Sequence, residues 1–234
     1  MLRRFAETYH VTYPMLSDHG SVVIRKFGIL NTNVPPDVTR FYGIPFPGQY
    51  LLSPDGTVKD KVFLGDYQDR PSASEVLLKD FATSVGDNSV TINAGDVTAK
   101  VKLSDTRCYS GQQLGVAIEF EIAPGWHIYG QPLQEGYTPT TVRFDDDIVA
   151  SQRIDFPKPA SLHFETLGET FPVYTGSFKA LGNVRFKQKL TPGDYQLKGA
   201  IQFQECNDTL CKIPETTRFE LPLKLEPLAP TAKK

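Results

Sequence analysis

Three cysteines, two methionines and one tryptophan are all that 234 residues supply of the rarer reactive side chains. So few cysteines cannot build a disulfide scaffold, and their odd number leaves one unpaired, which makes Cys108 the odd thiol. No run approaches the ~18 apolar residues of a membrane span. Residues 1–14 carry Arg3 and Arg4 but lack the apolar core of a signal peptide. Charge of one sign is missing too: 25 Lys and Arg against 27 Asp and Glu leave a net charge of -2. That balance provides no electrostatic footprint for nucleic acid or an anionic membrane, so neither partner nor membrane insertion is expected. A serine triad, a phosphate-binding glycine loop and a dinucleotide fingerprint are likewise absent, and no cofactor is implied. What remains is 40% hydrophobic and 22% charged, long enough for one large or two medium domains, of which two is the preferred reading.

The densest local chemistry is QECNDTLCKIP, Gln204 to Pro214, which holds Cys206 and Cys211. Along an extended strand this separation spans roughly 16 Å, beyond disulfide reach, so the chain must turn between them. Asn207, Asp208 and Thr209 are turn formers, and the intervening residues fit a hairpin connection that would set the cysteines opposite each other. A ring of about 6 residues stabilises by only about 2 kcal/mol in the chain-entropy model, which is weak for a staple. Redox exchange is the favoured role, with a static cross-link, a metal site or idle thiols as the alternatives. Asn207-Asp208-Thr209 also spells a glycosylation sequon, which matters only in a glycosylating secretory pathway.

From the amino terminus, Leu2, Phe5, Ala6 and Tyr9 recur at helical spacing, and Val11 to Leu16 reads as a short buried strand. Ser21 to Phe27 reads as a helix closed by Gly28. Gln49 to Ser53 and Thr57 to Leu64 form a hairpin around Pro54-Asp55-Gly56, and Ser72 to Ser84 is a helix with Ser72 as N-cap and Glu75 completing a capping box. TYPMLSD, KFGIL and GIPFPGQYLLSPDG resemble the redoxin and peroxiredoxin-like (AhpC/TSA) families over residues 1–85. The resemblance implies part of a thioredoxin-like α/β fold in which Pro47 is cis. Those families place their reactive cysteine earlier in the fold than this chain begins, and no cysteine precedes Cys108, so no peroxidase activity is expected. Residues 1–85 are therefore expected to be an incomplete redoxin unit, from a truncated reading frame or a late start codon.

Residues 86–95 turn to Gly, Asp, Asn and Ser and read as a linker. Beyond them the period changes. Val116, Ile118, Phe120 and Ile122 alternate with Ala117, Glu119 and Glu121, and Tyr195, Leu197, Ile201 and Phe203 alternate with polar neighbours. Further strands are expected at Val97 to Leu103, Thr140 to Phe144, Val184 to Leu190 and Phe219 to Leu225, together an antiparallel β-sandwich over residues 96–226. The fold class is thus α/β plus all-β, with a disordered tail at 227–234. If the strand runs straight past Phe203, Cys206 shares the outward face of Gln202 and Gln204; a bulge near Glu205 would reverse this.

PGWHIY (Pro124 to Tyr129), FPKPASLHFETLGETFPVYTG (Phe156 to Gly176) and FQECNDTLCKIPETTRFELPL (Phe203 to Leu223) resemble the amino-terminal domain family of the thiol:disulfide interchange protein DsbD. The resemblance implies an immunoglobulin-like sandwich in the periplasm, whose Cys206 and Cys211 shuttle between disulfide and dithiol with thioredoxin-like partners. It implies that Cys211 is the cysteine joined to partners. It also maps Phe164 to Tyr174 onto a cap loop shielding the pair, with Thr166 and Leu167 at the tip and Phe164, Phe171 or Tyr174 as shielding aromatics. Lys212 could lower a neighbouring thiol's pKa, while Glu205 and Asp208 would raise it. Trp126, His127 and Tyr129 read first as core aromatics with a satisfied histidine and second as lining of the cap. His163 reads as a solvated side chain and Asp145 to Asp147 as a solvated turn, and no metal is expected. Two other functions compete with a thiol:disulfide electron carrier: a docking module with a static disulfide, and a fragment of a fused redoxin-type peroxidase.

Overall fold

The computed structural model describes residues 2–8, 10–38, 40–63, 71–164 and 168–227. Leu64, the cap-tip residues Thr166 and Leu167, and the tail beyond Pro227 lie outside the described residues. The chain divides into two compact units with the boundary between Arg70 and Pro71.

The first unit holds helix α1 (Leu2–Thr8), helix α2 (Val22–Lys26), and the hairpin of β1 (Gly48–Leu52) and β2 (Val58–Phe63). Asp18 starts α2 by accepting the backbone N–H groups of Ile24 at 2.8 Å and Val23 at 3.1 Å. Those bonds, the one from Ile24 first, hold its carboxyl below the usual carboxylate range. Val11 to Leu16, expected as a buried strand, is irregular chain with Leu16 91% exposed. Among the described residues of this unit none is buried, and the β1–β2 hairpin is the one sheet. An apolar strand needs a paired neighbour, and among the described residues no strand pairs with Val11 to Leu16. The described cis peptide bond is Gln131–Pro132, not the bond preceding Pro47.

The second unit opens with helix α3 (Ala73–Phe81), capped as its sequence requires: Ser72 Oγ accepts from Glu75 N at 3.1 Å. The Glu75 carboxylate does not complete the capping box. It accepts from Gln113 Nε2 at 3.1 and 3.2 Å and from Asn183 Nδ2 at 3.4 Å, which ties the helix to the sandwich. Gly115 makes room for this docking, since a Cβ there would lie 3.1 Å from the Glu75 Cα.

The strands follow in order: β3 (Ser89–Ala94), β4 (Val97–Leu103), β5 (Arg107–Tyr109), β6 (Gln113–Ile122), β7 (His127–Tyr129), β8 (Thr141–Phe144), β9 (Val149–Asp155), β10 (Ala160–Phe164), β11 (Glu169–Tyr174), β12 (Ser177–Phe186), β13 (Gly193–Phe203), β14 (Glu205–Cys206) and β15 (Glu215–Glu226). One sheet has the order β3-β4-β6-β12-β9 and a second the order β5-β15-β13-β8. Their inward faces, with Val101, Leu103 and Ile118 from one and Leu197, Ile201 and Leu221 from the other, merge in a single apolar cluster, which makes the pair a sandwich. A third sheet of order β10-β11-β7-β14 carries the cysteine strand.

Three expectations change. Residues 86–95 are not a linker, because β3 pairs with β4 from Ser89↔Lys102 to Ala94↔Val97 and buries Ile92 and Ala94. The helix at 73–81 belongs with the sandwich rather than with the amino-terminal unit. The sandwich is not wholly antiparallel, since β5 pairs parallel to β15. Ala117, placed outward by its alternation, is 2% exposed because α3 covers that part of β6. Cys108 on β5 sits in the main core at 1% exposure, unpaired, and burial, with Asp105 adding, pushes its thiol up to about 12.

If α3 and β3 are parts of the sandwich, Leu78→Ala and Ile92→Ala should each lower its unfolding free energy by about 2–4 kcal/mol in denaturant titration. No change would return both segments to the status of appendages. Cys108 should resist a thiol reagent at pH 8 in the native protein and react once the chain is unfolded.

Candidate functional site

The chain breaks its strand at Gln204. The β13 ladder ends at Phe203, and the next two residues pair with a different strand: Glu205↔Ile128 and Cys206↔His127. Gln204 holds the break, its Oε1 accepting from Thr138 N and its Nε2 donating to Lys212 O, both at 3.1 Å. Cys206 and Cys211 then close a hairpin as an isolated antiparallel bridge with Cα atoms 4.1 Å apart, and the two form a disulfide. Asn207 shapes the tip. Its Oδ1 accepts from Leu210 N at 2.8 Å and from Thr209 N at 2.9 Å, the local bonding that makes asparagine a turn former.

The break overturns the expected parity. Cys206 is 1% exposed and faces inward, whereas Cys211 lies on the exposed side of the hairpin. Alternation is a property of one uninterrupted strand, and the change of sheet at Gln204 restarts it.

Face parity also sorts the neighbours. His127 and Tyr129 point to the same side of β7, Phe171 and Val173 to the same side of β11, and Val173 stands opposite Tyr129. Tyr129, Phe171, Val173 and Cys206 form a buried cluster against which Leu133, Tyr137 and Phe164 pack. The Tyr129 Oη lies 3.5 Å from Cys211 Sγ. Burial, with Tyr137 adding, pushes the Tyr129 hydroxyl up to about 12, so it stays protonated at neutral pH and can donate to sulfur. His127 is 3% exposed, its ring 5.1 Å from that of Phe164 and 5.6 Å from that of Tyr129. Among the described residues its Nε2 has no hydrogen-bond partner, so the histidine is not the satisfied core residue expected. Burial lowers its pKa, while the charge of Asp208 pulls the other way.

The proposed cap segment forms a β-hairpin in the same sheet, β10 against β11, closed by Gly168 N donating to Phe164 O at 2.9 Å. Of the residues assigned to shielding, Phe164 and Phe171 reach the sulfur-bearing cluster, with their rings 5.6 Å apart. Tyr174 does not. It stands opposite Ile128, on the other face, where its hydroxyl donates to Pro157 O at 2.8 Å and its ring stacks on Phe178 at 4.3 Å. Thr166 and Leu167 lie outside the described residues. His163, exposed on β10, has Nδ1 3.1 Å from Thr170 Oγ1, and Asp145, at the turn after β8, lies 3.5 Å from Arg218.

The face opposite the sulfurs carries charge. Glu205, 3% exposed, binds Lys212 Nζ through Oε1 at 2.6 Å and accepts Asp96 N through Oε2 at 2.9 Å. Lys212 also donates to Asp96 Oδ2 at 2.8 Å and lies 4.2 Å from the Trp126 ring centroid. The bonds to Asp96 and then Glu205 raise the Lys212 pKa. Its charge is therefore compensated by two carboxylates and locks the hairpin base instead of drawing down a thiol pKa. Gly95, at φ +60°, is required here, because a Cβ would fall on the Glu205 carboxylate.

The sequence reads Tyr129 and His127 as core aromatics or cap lining; that they share one face of a strand paired with Cys206 depends on a partner strand only two residues long. Tyr137, 5.2 Å from the Tyr129 ring, gave no sequence signal.

Residues 95–223 match the family described as thiol:disulfide interchange protein DsbD, N-terminal, and residues 1–61 match the AhpC/TSA family. Among solved structures, the N-terminal periplasmic domain of ScsB from Proteus mirabilis gives a TM-score of 0.44 at 16% identity, covering 59% of this chain. This chain spans 51% of that structure's length. The reduced N-terminal domain of DsbD from Neisseria meningitidis gives 0.31 at 19% identity, covering 48% of this chain and 82% of its own. No curated protein matches the chain.

Lys212→Met should strand the Glu205 carboxylate and lower the thermal midpoint, while adding Glu205→Gln should restore most of the loss. Equal melting of Lys212→Met and the parent would show that the pair contributes nothing.

Proposed function

The chain belongs, through residues 95–223, to the family of the DsbD N-terminal domain, and from that premise we propose that it is a thiol:disulfide electron carrier working through Cys206 and Cys211. The carrying observation is the asymmetry of the pair: Cys211 is exposed and Cys206 buried within one small ring. A partner thiolate attacks the exposed Cys211 sulfur, the Cys206–Cys211 bond breaks, and its electron pair passes to the Cys206 sulfur. A mixed disulfide on Cys211 results. In the opposite direction the Cys211 thiolate attacks a partner disulfide, and Cys206 resolves the mixed disulfide, releasing the partner as a thiolate. Tyr129 Oη, at Cys211 Sγ, can donate to charge developing there.

The partners are thioredoxin-like redox proteins, the setting is periplasmic, and the Phe164–Phe171 hairpin is the cap that gives way on docking. Support comes from the family and from the placement of those two rings against the sulfur cluster. The thioredoxin-like identity of the first unit rests on its match over residues 1–61, which contains no cysteine and so brings no thiol chemistry. The pattern favours a carrier over a docking module with a static bond, because a small ring adds little stability.

Titration in dithiothreitol redox buffers with mass-spectrometric readout should give a reversible couple above about -300 mV, the level below which structural disulfides lie. A more reducing value would leave the docking reading. Cys206→Ser should trap a mixed disulfide with a thioredoxin-like partner, and Cys211→Ser should form little or none.

A further inference from the structure

Resting on that carrier reading, we propose that His127 is the proton acceptor and donor for Cys206, the buried half of the couple. Three observations converge. The register sets His127 directly opposite Cys206 on one face of the β7–β14 pair, where facing Cβ atoms lie about 4.5–5.5 Å apart. Among the described residues its Nε2 is buried without a partner, an arrangement that costs free energy in this state and leaves the atom open to a proton in another. Among the described residues the surroundings of Cys206 are otherwise poor in groups able to hold a proton: Phe171 and Val173 are hydrocarbon, and the Tyr129 hydroxyl is at Cys211.

The need arises from the position of the sulfur. A thiolate on Cys206 would form inside an apolar cluster, where desolvation opposes charge. When Cys206 resolves a mixed disulfide, its S–H proton passes to the lone pair of His127 Nε2 as its sulfur attacks Cys211 Sγ. The Cys206–Cys211 bond forms, the bond from Cys211 to the partner breaks, and the partner leaves as a thiolate. In reverse, the imidazolium returns that proton to the Cys206 sulfur as it takes the electron pair from the breaking disulfide. Asp208, across the hairpin, is the charge that favours the imidazolium. Glu205 and Lys212 lie on the opposite face and neutralise each other. The β10–β11 hairpin contributes the uncharged Phe164 ring, tilted at 46° to the imidazole with centroids 5.1 Å apart.

The test uses the full chain. Reduced protein is mixed with glutathione disulfide, quenched in acid at intervals, and the mixed disulfide on Cys211 is followed by mass. In the parent the mixed disulfide should resolve quickly, at a rate that levels off above the imidazole pKa. In His127→Phe, which keeps the ring packing, and His127→Gln, which keeps polarity without a basic nitrogen, resolution should slow by on the order of 10²-fold. The rate should then climb with pH towards the free-thiol range. Iodoacetamide alkylation of Cys206 in a Cys211→Ser background gives a second readout: its pH midpoint should move upward when His127 is replaced, and it needs no mixed disulfide. Folded variants with the parent's resolution rate, pH profile and alkylation midpoint would overturn the role of His127 and leave the carrier reading standing. A parent chain that forms no mixed disulfide with glutathione or with a thioredoxin-like protein would overturn both.

Discussion

Two residues of strand pairing, Glu205 with Ile128 and Cys206 with His127, decide how the rest of the site is arranged. They turn Cys206 towards the aromatic cluster and Glu205 towards Lys212, and the hairpin that follows has to present Cys211 to the outside. So short a ladder could not hold alone. It is fixed at its Glu205 end by the side-chain bonds of Gln204 and by the Glu205–Lys212–Asp96 group, and at its Cys206 end by the bond to Cys211, so the hairpin base is held by polar contacts on one face and hydrocarbon on the other.

This division of faces lets one small sheet do two jobs. The side with Ile128 and Tyr174 belongs to the sandwich core, continuous with the sheets that bury Val101, Ile118 and Leu221. The other, with His127, Tyr129, Phe171 and Val173, faces a separate satellite cluster that holds the Cys206 sulfur. The hairpin β10–β11 and the strand that carries Cys206 share one sheet, joined through β7.

The two units differ in what they can bury. Every described residue of the first is at least partly exposed, including Leu16, Tyr13 and Phe27, while the second packs two sheets around a common core and docks α3 on the outer face of β6.

Much was written in the sequence. Alternation in Val97 to Leu103, in Leu197 to Phe203 and in Phe219 to Leu225 determined strands and their inward faces, because the side-chain period of a strand is local. Ser72 determined a helix start, and the spacing of Cys206 and Cys211 around Asn207-Asp208-Thr209 determined a hairpin able to close a disulfide. The strand at 89–94 escaped notice because its polar composition imitates a linker and only pairing with β4 makes it a strand. Which sulfur faces outward was beyond the sequence for a related reason. Parity carries along a strand only until the chain changes sheets, and the change at Gln204 depends on Thr138 and Lys212, one of them 66 residues away. The couple was determined locally; its inside and outside were decided by the tertiary fold.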